Sequence, residues 1–451
     1  MLGRAWLGFL SHFIRIVNPT TFLILALSSP LAALFSQNPR TGDGPVALDI
    51  LDLDRDARAD LVVANYYDNS ISLFYGMGGG SLGAPIDFPV GIAPTAIVSG
   101  DVDLDGLLDI IVANSRDNTV SVLHGARGGG RVSLAPAITV ATNVGTASLA
   151  AVDVNGDGLL DLVAVDRSGN VTSVLDGHRG WGALQLIARI PMPSEPVAVA
   201  ADDLNRDGHI DLVVASRSAG QVSVLIGDGR GHFSTRKDYD AGQTPVSVCV
   251  ADVDGDGWPD VVVANEEANQ VSVLSGDGKG NLAEPSSRQI YQVGDDPLRA
   301  LVEDVNNDRI ADILTVNGFP NIVSVLLGQG GGKFAPADAF NVGSTPLDLG
   351  IADVNDDGKP DIITANFDEN SLSLLLNTDD RAILAGDADQ DGRLTIADVK
   401  VIVAEIFDGD GDSPLDTPRG FVATGAASNA NGDTRISVAD VVAVLSSLRR
   451  E

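Results

Sequence analysis

Asp252-Val-Asp-Gly-Asp-Gly-Trp-Pro-Asp260 stands between two apolar runs, Val246-Ser-Val-Cys-Val250 and Val261-Val-Val-Ala264. Acids fall at positions 1, 3, 5 and 9 of this loop, and Gly257 at position 6 permits the positive φ of a sharp bend. The same phrase recurs as Asp52-Leu-Asp-Arg-Asp-Ala-Arg-Ala-Asp60, Asp101-Val-Asp-Leu-Asp-Gly-Leu-Leu-Asp109 and Asp153-Val-Asn-Gly-Asp-Gly-Leu-Leu-Asp161. It returns as Asp203-Leu-Asn-Arg-Asp-Gly-His-Ile-Asp211, Asp304-Val-Asn-Asn-Asp-Arg-Ile-Ala-Asp312 and Asp353-Val-Asn-Asp-Asp-Gly-Lys-Pro-Asp361. The first residues of these seven loops lie 49, 52, 50, 49, 52 and 49 apart. A fixed period of that size marks a repeat architecture, in which neighbouring units bury a shared core.

Each unit reads as four short strands. In the fourth unit they are Pro196–Ala200, Leu212–Ala215, Gln221–Ile226 and a polar strand from Phe233. Four strands in about 50 residues is the size of a propeller blade, so the expected fold is an all-β seven-bladed propeller over 34–378. The nearly continuous apolar second strands suit burial on both faces between blades. The seventh unit ends at Leu376 without a fourth strand, while Phe35–Pro45 resembles a shortened copy of Phe233–Pro245. This amino-terminal segment is therefore expected to supply the missing strand and close the ring, removing an exposed sheet edge.

The loop oxygens point to a metal. Alternate positions of a turning loop converge, and carboxylate, Asn and main-chain oxygens suit Ca²⁺ better than Zn²⁺ or copper. The expected ligands are Asp52, Asp54, Asp56 and Asp60; Asp101, Asp103, Asp105 and Asp109; and Asp153, Asn155, Asp157 and Asp161. They continue with Asp203, Asn205, Asp207 and Asp211; Asp252, Asp254, Asp256 and Asp260; Asp304, Asn306, Asp308 and Asp312; and Asp353, Asn355, Asp357 and Asp361. Ala57 and Arg309 replace the position-6 glycine in loops one and six, which predicts distorted or weaker sites there. Acidic turns without an ion are the bland alternative.

With its D-x-[DN]-x-D-G-x-x-D loops, the stretch from Phe35 to Asn377 resembles the FG-GAP/VCBS repeat family of calcium-binding propellers. That resemblance implies loops joining the first two strands of each blade, gathered on one face. After a linker at 379–384 the pattern changes. Asp387-Ala-Asp-Gln-Asp-Gly-Arg-Leu-Thr-Ile-Ala-Asp398 and Asn429-Ala-Asn-Gly-Asp-Thr-Arg-Ile-Ser-Val-Ala-Asp440 each precede an apolar helical stretch. Their ligand candidates are Asp387, Asp389, Asp391, Thr395 and Asp398, then Asn429, Asn431, Asp433, Ser437 and Asp440. This duplicated loop and helix resembles a type I dockerin, so residues 385–451 are expected to form a small α-helical, EF-hand-like module. The resemblance implies docking to a cohesin; a calcium-stapled tag with another partner stands beside it.

Composition agrees with a cation load. Thirty of the 62 acidic residues occupy proposed ligand positions, and nine Ca²⁺ would bring the net charge from −33 to −15. Such acidity disfavours nucleic acid and anionic lipid. Residues 1–33 carry Arg4 and Arg15, the apolar run Thr21–Leu27 and small residues to Ala33, the pattern of a secretory signal peptide. That run is too short for a membrane span, so a secreted or cell-surface location is expected. The single cysteine, Cys249, is read as a core residue, and no intramolecular disulfide is possible.

The turns between second and third strands should lie opposite the loops. They place Tyr66, Tyr67, Phe319 and Phe367 in neighbouring blades one, six and seven, and Arg116, Arg167 and Arg217 in blades two to four. An aromatic sector beside a basic one suits sugar rings and uronate carboxylates. The leading reading is extracellular recognition of a carbohydrate or protein ligand. The alternative is a polysaccharide lyase or glycoside hydrolase on the same scaffold. His124 and His178 occupy equivalent third-to-fourth-strand turns and His232 ends another; none has an adjacent nucleophile.

Overall fold

The computed structural model describes residues 33–35, 38–128, 131–142, 146–177, 184–283 and 285–377. The sequence-predicted leader as far as residue 32, the linker and the module at 385–451 with its ligand candidates lie outside the described residues. One compact unit spans Leu31–Asp379.

Seven four-stranded antiparallel sheets build this unit. Blade one runs Pro45–Leu51, Asp60–Asn65, Ser70–Phe74 and Ile86–Pro89; blade four runs Pro196–Asp202, Asp211–Ser216, Gln221–Gly227 and Phe233–Asp240. The first strands touch in blade order, and that of blade seven, Pro346–Ala352, returns to that of blade one. They ring the axis, and the protein is a closed seven-bladed β-propeller. Every second strand is buried along its whole six-residue length. Their Val, Ile and Leu side chains alternate between the two faces and so serve two seams at once.

Seven apolar clusters follow, one at each blade-to-blade seam. Phe74, Leu61 and Val63 of blade one meet Ile363, Leu372 and Leu374 of blade seven at the seam where the chain closes on itself. Cys249 is half-buried against the seam between blades five and six, and burial pushes its thiol up to about 12. The thiol form at neutral pH is a poor nucleophile, as its core reading expected.

Ring closure occurs where the sequence places it. The seventh sheet has Ala33–Phe35 as its outer strand, paired antiparallel with Ser371–Asn377 in the register Ala33 to Asn377 and Phe35 to Leu375. The strand begins two residues before the expected segment, at the last residue of the predicted leader. Further on, Leu372 donates its N–H to the Pro39 carbonyl (2.9 Å) and Thr41 to that of Asn370 (3.0 Å). Among the described residues no helix is long and apolar enough to cross a membrane.

Candidate metal centres

Each acidic loop joins the first and second strands of its blade, and one hydrogen-bond pattern shapes all seven. The position-1 carboxylate accepts the N–H of position 6 through Oδ2, as in Gly257 to Asp252 (2.9 Å) and Gly358 to Asp353 (2.7 Å). The position-5 carboxylate accepts the N–H of position 7, as in Trp258 to Asp256 (2.8 Å). In blades two to seven position 3 also accepts from position 5, as in Asp105 to Asp103 (3.0 Å) and Asp357 to Asn355 (2.9 Å). These Asx-type bonds wind the backbone so that the side-chain oxygens turn inward.

The converging oxygens are measurable in three blades. Ligand oxygens of Asp52, Asp54 and Asp60 lie within 4.8 Å of one another, as do those of Asp101, Asp103 and Asp105 and those of Asp252, Asp254 and Asp260. Like charges at that separation repel by several kcal/mol at a protein-surface dielectric, roughly 3–4 kcal/mol per pair. A hard cation reverses the sign, and an all-oxygen set with Asn at position 3 in four loops fits a Ca²⁺-like ion.

Position 9 differs from the other three. Asp60, Asp161, Asp211, Asp260, Asp312 and Asp361 are completely buried and Asp109 is nearly so. Each clamps two backbone donors: Asp260 takes Val253 N–H (3.0 Å) on Oδ2 and Gly276 N–H (2.8 Å) on Oδ1. The first bond holds the loop, and the second holds the start of the third-to-fourth-strand turn. Burial pushes Asp60, Asp161, Asp211, Asp260 and Asp361 up to about 6 and Asp312 to about 7. A nearby cation would favour their charged form. The sequence pattern treats position 9 as one more ligand; the fold makes it first a staple.

Asp260→Ala should therefore cost about 3 kcal/mol, because two buried N–H groups lose their acceptor. Asp256→Ala, at an exposed position 5, should cost under about 1 kcal/mol under the same conditions. Thermal melts in calcium-free buffer check this, and equal shifts for the two variants would refute the staple.

Loops one and six correct an expectation. Ala57 and Arg309 adopt φ of 66° and 68°, within the left-handed region used by the glycines of the other loops. Ala57 still donates to Asp52 Oδ2 (3.0 Å) and Arg309 to Asp304 Oδ2 (2.6 Å), so position 6 keeps its turn in both loops, although in loop one Arg131 pairs with Asp54. The position-1 carboxylate outweighs a left-handed penalty of about 1 kcal/mol. Position 4 is left-handed too, from Arg55 (63°) to Asp356 (64°), and in the sequence only Gly156, Gly255 and Asn307 signal it.

The opposite face carries the turns between second and third strands. Tyr66 and Tyr67 meet edge-on at 5.2 Å, Tyr67 lies 5.4 Å from Phe367 across the closing seam, and Arg116 stands 5.4 Å over Tyr66. Phe319 is 64% exposed in its own blade. The expected basic sector is instead a strip of alternating charge. Arg167 pairs with Glu195, and Arg217 pairs with Glu266 (2.6 Å) and approaches Glu195 (3.9 Å). The glutamates come from neighbouring blades, which reading one turn at a time did not bring together. Beside them a cavity of about 580 Å³ is lined by Tyr66, Thr95, Ser115, Thr146, Arg167 and Glu195 among others.

A closed seven-bladed propeller with an acid-clamped loop in every blade defines the class. The FG-GAP-like repeat matches five times, at residues 52–112, 101–164, 203–263, 252–315 and 304–364, each span holding two successive loops. The chain belongs to the FG-GAP-like repeat family. No curated protein matches it. Among solved structures it is similar to BBS1N in complex with ARL6DN, soaked with mercury, at 14% identity over 78% of this chain and 98% of that one, with a TM-score of 0.55. It is also similar to Sqt1 of Saccharomyces cerevisiae (11% identity, 78% and 99% coverage, TM-score 0.52). The periplasmic gluconolactonase PpgL of Pseudomonas aeruginosa is another (19% identity, 67% and 87% coverage, TM-score 0.52). At these identities the likeness is one of fold alone.

Proposed function

We propose that this is a secreted recognition protein whose propeller is stapled by Ca²⁺ on one face and takes a polyhydroxylated extracellular ligand, such as a glycan, on the other. The side chains at positions 1, 3 and 5 of each loop would hold the ion, joined by position 9 in blades one and five. Bound calcium would supply the positive charge that lets clustered carboxylates stay ionised. The carboxy-terminal module would attach the ring to a cohesin-type partner, as its resemblance to a dockerin implies.

The cavity lined by Tyr66, four serine and threonine side chains and the Arg167–Glu195 pair carries the ligand reading. Hydroxyls and a fixed ion pair can exchange hydrogen bonds with sugar hydroxyls, while a tyrosine ring gives an apolar face for stacking. Because Arg167 and Arg217 are neutralised by glutamates, neutral sugars fit better than uronates. On a glycan array the protein should bind neutral oligosaccharides, and Tyr66→Ala or Arg167→Gln should each weaken binding at least tenfold. Unchanged binding in both variants would remove this face from the function. Release of reducing sugar from the same glycans would turn the reading to the hydrolase alternative.

A further inference from the structure

In each blade position 9 anchors one residue at the end of the third strand, and the side chain just before that residue differs from blade to blade. In blades four, six and seven that side chain is apolar: Ile226, Leu327 and Leu376. In blade two it is His124. Its Nδ1 lies 3.4 Å from Asp109 Oδ1 and 3.6 Å from Asp103 Oδ2. The ligand atoms of these three residues all fall within 4.8 Å of one another. Nδ1 is buried and has no hydrogen-bond partner, although two carboxylate oxygens flank it.

Two features support an ion at this cluster. Asp109 is 1% exposed and held rigidly, its Oδ1 by Gly125 N–H (2.8 Å) and its Oδ2 by Val102 N–H (2.9 Å). The two nitrogen-to-oxygen separations also suit a small ion. Tetrahedral zinc with ligand bonds of about 2.0–2.1 Å keeps its donors about 3.4 Å apart. Two of the separations here, 3.4 and 3.6 Å, match that value.

We infer that His124, Asp103 and Asp109 form a distinct site for a borderline transition metal such as Zn²⁺, sharing Asp103 with the calcium loop of blade two. An imidazole nitrogen favours Zn²⁺, Co²⁺ or Ni²⁺ over Ca²⁺, which prefers six to eight oxygens. Three protein ligands leave a position for water, the arrangement of an open zinc site. The metal would tie the turn of blade two to its loop, as the position-9 carboxylate does in every blade.

Cobalt is the probe, because its d–d absorption reports a nitrogen- and oxygen-ligated four-coordinate site directly. Metal-free full-length protein in excess Ca²⁺ should bind one equivalent of Co²⁺ with that absorption, and Zn²⁺ should displace it. His124→Gln should weaken cobalt binding at least a hundredfold with an unchanged far-ultraviolet circular dichroism spectrum. His232→Gln, at an exposed turn, should keep the full equivalent. Absence of the cobalt band in the wild-type protein, or its survival in His124→Gln, would overturn the site. Its loss in His232→Gln would place the ion elsewhere and equally overturn it. A separate Ca²⁺ titration tests the loops, and its failure with cobalt retained would sink the calcium reading alone.

Discussion

Excess EGTA should lower the melting temperature of this protein by roughly 10 °C or more, and calcium should restore it. The expectation follows from linkage. A site held at a hundred times its dissociation constant stabilises the folded state by about 2.7 kcal/mol, so three such sites contribute about 8 kcal/mol. Domains are typically stable by only about 5–15 kcal/mol. The unliganded loops also hold like charges together, with the oxygens of Asp101, Asp103 and Asp105 within 4.8 Å. If no cation counters that repulsion, the local Asx-type bonds of positions 1, 3 and 5 would have to hold the loops against it. Elemental analysis should find calcium in several-fold molar excess over protein. An unchanged melt in EGTA together with no bound calcium would end the metal reading of the loops.

Much of this was legible because the repeat offers seven independent readings of one unit. The six second strands other than that of blade one carry the same apolar pattern as Asp60–Asn65, and each proves fully buried. The missing fourth strand of blade seven likewise pointed to the amino terminus, because Phe35–Pro45 resembles a shortened copy of Phe233–Pro245. What stayed hidden lies between units. Asn69, Asn170, Asn269, Asn321 and Asn370 sit at left-handed turn positions and accept the N–H that opens the next blade, as in Asn69 to Ala93 (2.8 Å) and Asn170 to Glu195 (2.7 Å). A turn asparagine reads as local chemistry, and only the register of the ring reveals that it joins two blades. The pairing of Arg217 with Glu266, 49 residues away, was unreadable for the same reason. His124 was visible as a turn histidine, but its approach to Asp109 depends on how the turn folds back over the loop.

The closing strand makes the second large effect. Removing residues 33–44 should lower the melting temperature by about 10 °C, comparable with removing calcium. Three paired residues of Ala33–Phe35 would be lost, together with the bonds from Leu372 to Pro39, Thr41 to Asn370 and Gly44 N–H to Asn370 Oδ1 (2.9 Å). At about 0.5–1.5 kcal/mol for each net hydrogen bond, the loss is on the order of 3–6 kcal/mol. The apolar seam of Phe74, Ile363 and Leu374 would remain, but the chain ends on either side of it would no longer be bonded across the ring. Ser371–Asn377 would become an open sheet edge, so the shortened protein should also associate on warming, as light scattering would detect. A propeller that loses its lock opens at one seam, whereas one that loses calcium weakens in every blade. Hydrogen exchange distinguishes the two: the deletion should expose blades one and seven first, and EGTA should raise exchange around all seven loops. If the shortened protein melts with the intact one and exchanges alike, the amino-terminal strand is no lock and the apolar seams alone hold the ring.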